Sequence, residues 1–324
     1  MKYFPALIMM ICFVACTSKK QIEGSWIYCY GLDESGNFEF EPISAAIFDF
    51  KNDSINEYIL GNQDYGIANQ HYTYNLIRDD KICKLGDRYI LDLDSVNGDS
   101  LILKSRDSTK KTSIICKKLP YSSGQQVWNP MNKVYRFNSV NSESIIWDFV
   151  NDSALIELNQ KSGNFAVRKW GSAKLNGYPL MIITHFDPIP ILIDSIVDEK
   201  VFASYFESSI NRFTFELEKP NEVSKEILGL WTFSKLEPIG SSTPAAPINK
   251  MSWINITRDS LEYEVYGLKF KAGWRASNTG KFITSNSSPI RFNTVWKVDS
   301  ISKKKLVLEL RDEINQRWRL IYNK

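Results

Sequence analysis

Beyond Lys20 apolar and polar residues alternate with a period of two, and no long stripe of helical period appears. Ser54-Ile55-Asn56-Glu57-Tyr58-Ile59-Leu60 and Leu261-Glu262-Tyr263-Glu264-Val265-Tyr266 read as half-buried strands. Leu101-Ile102-Leu103 and Leu306-Val307-Leu308-Glu309-Leu310 read as further strands, and Asn97-Gly98 reads as a two-residue hairpin turn.

One motif, an alternating strand running into an Asp-Ser turn, occurs three times. The copies are Ile47-Phe48-Asp49-Phe50-Lys51-Asn52-Asp53-Ser54, Ile146-Trp147-Asp148-Phe149-Val150-Asn151-Asp152-Ser153 and Trp253-Ile254-Asn255-Ile256-Thr257-Arg258-Asp259-Ser260. A second strand-turn signal follows each: Leu93-Asp94-Ser95-Val96, Ile193-Asp194-Ser195-Ile196 and Val298-Asp299-Ser300-Ile301. From Asp53 to Asp94, Asp152 to Asp194 and Asp259 to Asp299 the gaps are 41, 42 and 40 residues. Each copy then closes with a strand, at Thr112 to Leu119, Arg212 to Lys219 and Arg317 to Lys324. Agreement at three landmarks predicts three homologous units of about 100 residues, over 21–120, 121–220 and 221–324. Each is expected to be an antiparallel meander of about seven or eight strands, and closing such a meander into a barrel removes unpaired edges. The predicted fold class is therefore all-β, with three tandem meander or up-and-down barrel units.

The first residues follow a different pattern. Lys2 precedes an apolar run from Tyr3 to Ala15, too short to span a bilayer as a helix and long enough for a signal-peptide core. Phe13-Val14-Ala15-Cys16 resembles the lipobox of bacterial lipoproteins, with Phe13 where that family usually has Leu. The resemblance implies a signal peptide over 1–15, covalent diacylglycerol and acyl lipid on Cys16, and a tether over 16–20. Two or three acyl chains anchor firmly where one binds only marginally. Thr17-Ser18-Lys19-Lys20 holds no acidic residue. The expected address is the cell envelope, at the periplasmic face of the outer membrane, with the membrane as partner through the lipid.

Ile22-Glu23-Gly24-Ser25-Trp26 and Ile227-Leu228-Gly229-Leu230-Trp231 resemble the G-x-W of the first strand of lipocalins and of short lipocalin-like domains. That resemblance implies that Trp26 and Trp231, behind Gly24 and Gly229, plug the closed end of a barrel. An Arg on the last strand would cover the Trp, a part open to Arg319 in the third unit and Arg212 in the second. The second unit departs in spacing, with Trp128 of Gly124-Gln125-Gln126-Val127-Trp128 as its expected plug, and the first offers Lys117 and Lys118 in place of Arg.

Composition narrows the function. Forty cations against 37 anions give a net charge of +3, without the footprint of a nucleic-acid binder. Lys303-Lys304-Lys305 falls at an expected hairpin turn. Of five cysteines, Cys12 leaves with the signal peptide and Cys16 takes lipid. Cys29, Cys83 and Cys116 then remain without metal or redox spacing. Closure would bring Cys29, on the first strand, beside Cys116 on the last; they form a disulfide or stay as two buried thiols.

Gly98-Asp99-Ser100-Leu101 spells a hydrolase motif in a hairpin turn, with no Asp three residues before either His71 or His185. No metal site, catalytic residue or cofactor is predicted. The expected function is non-enzymatic binding of a small apolar ligand inside a barrel. Filled barrels that contact an envelope protein are the alternative, and a carboxylate-based envelope hydrolase a more distant one. The charge-poor Glu237-Pro238-Ile239-Gly240-Ser241-Ser242-Thr243-Pro244-Ala245-Ala246-Pro247 would sit near the third mouth.

Overall fold

A computed structural model describes residues 22–40, 44–51, 54–63, 66–75, 82–85, 89–105, 112–120, 128–138, 144–184, 189–206, 210–240, 251–265, 267–285, 295–311 and 317–324. The protein is all-β, and three sheets form closed or nearly closed antiparallel barrels.

The first sheet holds β1 (Gly24–Leu32), β2 (Phe38–Phe40), β3 (Ser44–Lys51), β4 (Ser54–Gln63), β5 (Gly66–Asn75), β6 (Ile82–Leu85), β7 (Tyr89–Asn97), β8 (Ser100–Ser105) and β9 (Ser113–Lys118). Its order is β5-β4-β3-β1-β9-β8-β7-β6, with β2 paired to β1. The second holds β10 (Lys133–Asn138), β11 (Ile145–Phe149), β12 (Ala154–Asn159), β13 (Phe165–Leu175), β14 (Tyr178–Thr184), β15 (Ile189–Val197), β16 (Lys200–Phe206) and β17 (Ile210–Glu218), closed in chain order. The third holds β18 (Gly229–Ile239), β19 (Met251–Ile256), β20 (Leu261–Val265), β21 (Leu268–Ala272), β22 (Trp274–Ala276), β23 (Phe282–Ser285), β24 (Val295–Ile301), β25 (Lys305–Arg311) and β26 (Arg317–Asn323). Its order runs from β21 through β18 and β26 to β22, and only Gly273 separates the two end strands in sequence.

The repeated landmarks acquire a physical meaning. The Asp-Ser turns join β11 to β12 and β19 to β20; in the first copy Ser54 opens β4, and Asp53 lies outside the described residues. The second landmark is not a turn but a bulge. Register skips between Leu93 and Ser95, Ile193 and Ser195, and Val298 and Ser300, so Asp94, Asp194 and Asp299 are the extra residues. Each carboxylate meets a neighbour: Lys104 at 2.8 Å, Ser204 at 2.6 Å and Arg319 at 3.2 Å. The hairpin turns follow about three residues later, and Gly98 takes the positive φ of 58° that its turn requires.

The closed ends of the first and third barrels share one construction. Trp26 and Trp231 are fully buried, and each indole donates to a carbonyl four residues earlier, Ile22 at 2.9 Å and Ile227 at 2.8 Å. A lysine covers each ring, in the third barrel in place of the expected Arg319. Lys118 lies over Trp26 and Lys324 over Trp231, at 5.2 and 4.3 Å from the ring centroids. Register is the reason: Trp26 pairs with Lys118, and Thr232 with Asn323, which leaves Lys324 beside Trp231. Arg319 pairs instead with Glu237, well up the strand, and engages Asp299. Gly229 has a φ of 126°, and a Cβ there would come within 3.1 Å of the Lys324 stem.

The second barrel replaces this plug. Trp128 is buried but precedes the first strand. Tyr135 pairs with Trp147 as Trp26 pairs with Phe48 and Trp231 with Ile254, so a tyrosine takes the tryptophan's place. Arg212 covers no tryptophan plug; it is exposed, and its charge acts on Asp194.

In packing, the chain divides into two compact units, Met1–Asn129 with Trp170–Thr214 and Pro130–Lys169 with Phe215–Lys324. Within the former, the outward residues Ile27, Cys29 and Ile47 pack against Leu175, Tyr178, Leu180, Ile182 and Leu192. Asn176 donates to Ser25, and Ser25 to the buried Asp49, at 3.1 and 3.2 Å. Within the latter, Ile146, Ile156, Leu158, Phe165 and Val167 pack on Phe282 and Val295. Asp148, fully buried, accepts from the Asn278 side chain at 2.7 Å and from the Thr279 amide at 2.8 Å.

Candidate ligand site at the open end of the third barrel

The inner face of the third barrel can be traced by direct cross-strand partners, which share a face. Trp231 pairs with Ile254, Ile254 with Tyr263, and Tyr263 with Phe270. Trp231 and Ile254 belong to the core that fills the closed end, with Leu308, Leu320 and Tyr322. Phe270 therefore points inward, as does Leu268 two residues before it. Yet Phe270 is 43% and Leu268 64% exposed. Tyr263 stacks on Phe270 with ring centroids 5.3 Å apart and planes 17° apart. Partial burial raises the Tyr263 phenol's pKa above its ordinary value. The result, among the described residues, is a packed floor below and an apolar inner edge of Leu268, Phe270 and Tyr263 open to solvent above, which suits an apolar molecule.

The chemistry-bearing motifs found in the sequence do not gather here. Ser100 lies at the β7–β8 turn, beside Asp99 and the ammonium of Lys117. His71 is on β5 with its side chain outside the described set, and His185 lies outside the described residues. Among the described residues no three His, Cys, Asp or Glu side chains form a metal-holding group. The Pro-rich segment extends β18 to Ile239, and residues 241–250 lie outside the described residues, as does Cys16.

The possible disulfide is corrected. Cys29 and Cys116 are free, buried thiols. Cys29 is the extra residue of a bulge, because Tyr28 pairs with Cys116 and Tyr30 with Ile115. It turns outward among Ile27 and Ile47, while Cys116 turns inward among Trp26 and Leu101. Burial pushes the Cys29 thiol up to about 12 and Cys116 well above its ordinary value.

Sequence reading missed the rim. Leu268-Lys269-Phe270-Lys271 carries the right alternation but is too short, between Gly267 and Gly273, to stand out. It also missed Glu157 and Arg168, which take inward positions on the second barrel. The signal available was a carboxylate in the apolar phase of Leu155-Ile156-Glu157-Leu158.

No protein-family model matches the chain, and no curated protein matches it. Among solved structures it is similar to isotype 1 transferrin binding protein B (TbpB) from serogroup B Neisseria meningitidis, at 9% identity and a TM-score of 0.15. That match covers 90% of this chain and 67% of the other, and at such a score it carries no argument.

Proposed function

We propose that this protein is a lipid-anchored envelope lipoprotein and a non-enzymatic binding module. It takes a small apolar ligand at the open end of its third barrel. The observation that carries the binding reading is the exposure of inward-facing Leu268 and Phe270 above a closed core. Water covering such a surface is released when an apolar molecule covers it. The anchor reading rests on Phe13-Val14-Ala15-Cys16, and the non-acidic tether supports the periplasmic face of the outer membrane. No helix among the described residues is long and apolar enough to cross a membrane.

Native and denaturing mass spectra of the purified chain test the binding reading. An apolar mass that leaves on denaturation, and that is lost in Phe270→Asp with an unchanged melting curve, is the expected result. A native mass equal to the bare chain, with no uptake of an added apolar fluorophore such as N-phenyl-1-naphthylamine, would count against it.

The protein-contact reading has its own support. The β15–β16 hairpin displays Ile196, Val197 and Phe202 to solvent around a turn of Asp198 and Glu199. Charge substitution at Val197 that abolishes capture of an envelope protein by the chain would favour that reading.

A further inference from the structure

The second barrel holds a charged pair on its inner face. Trp147 on β11 and Phe215 on β17 belong to strands that are not neighbours, so their ring contact at 4.9 Å crosses the interior. That contact identifies the inner face. Glu157 pairs directly with Trp147, and Arg168 with Leu155, so both point inward. Arg168 grips the carboxylate at two points, Nε to Oε2 at 3.2 Å and Nη2 to Oε1 at 3.0 Å.

The two side chains are nonetheless 25% and 26% exposed, while Trp147, Phe149, Leu155 and Phe215 around them are buried. Inside a closed barrel, exposure of this kind means that water reaches the pair. At that exposure the pair adds little to stability, and apolar residues of similar volume would serve packing as well. The matching inward positions differ: Glu57, opposite Phe48, is buried, and Tyr263, opposite Ile254, carries no charge.

After binding Glu157, the guanidinium keeps three N–H donors and the carboxylate keeps a lone pair on each oxygen. The site therefore offers one positive and one negative edge side by side, with no net charge. A lone anion would meet Glu157 and a lone cation would meet Arg168. A wholly apolar guest would strip both groups of water without replacing it. A molecule with separated, adjacent charges answers both edges.

We propose that this lumen binds a small zwitterion of the α-amino-acid type. Its carboxylate rests on the free edge of Arg168 and its ammonium on Glu157, and its side chain lies towards the aromatic group of Phe137, Trp147 and Phe215. This site is separate from the apolar rim of the third barrel and does not depend on it.

Calorimetric titration of the full chain in detergent tests the proposal, with L-leucine and L-phenylalanine as probes. Both are expected to bind. N-acetyl-L-phenylalanine, which lacks the ammonium, and L-phenylalaninamide, which lacks the carboxylate, are each expected to bind roughly tenfold more weakly or worse. Arg168→Met and Glu157→Gln should each weaken L-phenylalanine by a similar factor. The two ligand analogues keep the test independent of whether the variants fold. Absence of heat with either amino acid up to about 10 mM would overturn the proposal. Binding of the acetylated or the amidated analogue as tightly as L-phenylalanine itself would do so too.

Discussion

At the scale of single residues, the closed ends show how little is needed to seal a barrel. One indole fills the axis, its N–H meets a local carbonyl, and a lysine lies over the ring where a glycine leaves room. The energies divide unequally. Trp231→Ala should lower unfolding free energy by about 3–5 kcal/mol, because it empties a fully buried site. Lys324→Met should cost only about 0.5–1 kcal/mol, because that ammonium is exposed. Urea denaturation of the two variants measures the ratio. The cysteines give a second test. With thiol values raised by burial, Cys29 and Cys116 should resist alkylation in the native protein. Both should be alkylated once the chain is unfolded without reductant. Peptide mapping that finds them joined would refute the assigned register of β1 on β9.

At the scale of elements, turns and bulges do the connecting. The turn between β22 and β23 reaches Asp148 and brings Gly280, at a φ of 67°, within 2.8 Å of the Glu222 carbonyl oxygen for any added Cβ. Gly280→Ala should therefore cost about 2 kcal/mol or more, visible as a lower melting temperature. The turn after β12 is held by charge. Lys297 donates to the Gly163 carbonyl at 2.9 Å and Arg317 to the Asn164 side chain at 2.6 Å, and both also hold Glu309. Burial pushes the Glu309 carboxyl up, but the Arg317 hydrogen bond and the Lys297 and Arg317 charges together bring it below 4.5. A lowered carboxyl stabilises the fold above its unfolded value and loses that contribution as pH falls through the folded one. Stability should thus decline below pH 4.5 more steeply in the native protein than in Glu309→Gln. That variant should cost about 3 kcal/mol at neutral pH, the low end for breaking a buried pair whose cations keep some solvent. Parallel acid titrations of the two proteins would expose an error in this assignment.

At the scale of the whole molecule, the internal repetition concentrates at one end of each barrel. The Asp-Ser turns, the bulged aspartates and the last residues of the closing strands all fall towards the closed end, where hairpin geometry and the plug restrict the residue types. The open ends are free of those constraints, and there the inner surfaces diverge: an apolar rim in the third barrel and an ion pair in the second. Anchoring belongs to the same scale. Cys16→Ser should leave the chain without an acyl mass and shift it from the membrane pellet to the soluble fraction. An unchanged pellet with no acyl mass on the native chain would remove the lipid from the account.

Some of this protein follows from local chemistry alone. Period-two alternation, Asn97-Gly98 and the threefold landmarks depend on neighbours within one strand or hairpin, so strands, turns and the all-β class were legible before any fold was known. The lipobox resemblance of Phe13-Val14-Ala15-Cys16 is equally local. The pairing of distant strands was not legible, because register is set between residues far apart in the chain. That is why Lys324 rather than Arg319 covers Trp231, why Tyr135 replaces Trp128, and why Cys29 faces away from Cys116. Inside and outside are also decided only by closure. In sequence Glu157 and Phe270 alternate like any strand residue, and only the curved wall makes one a lumen charge and the other an exposed inner rim.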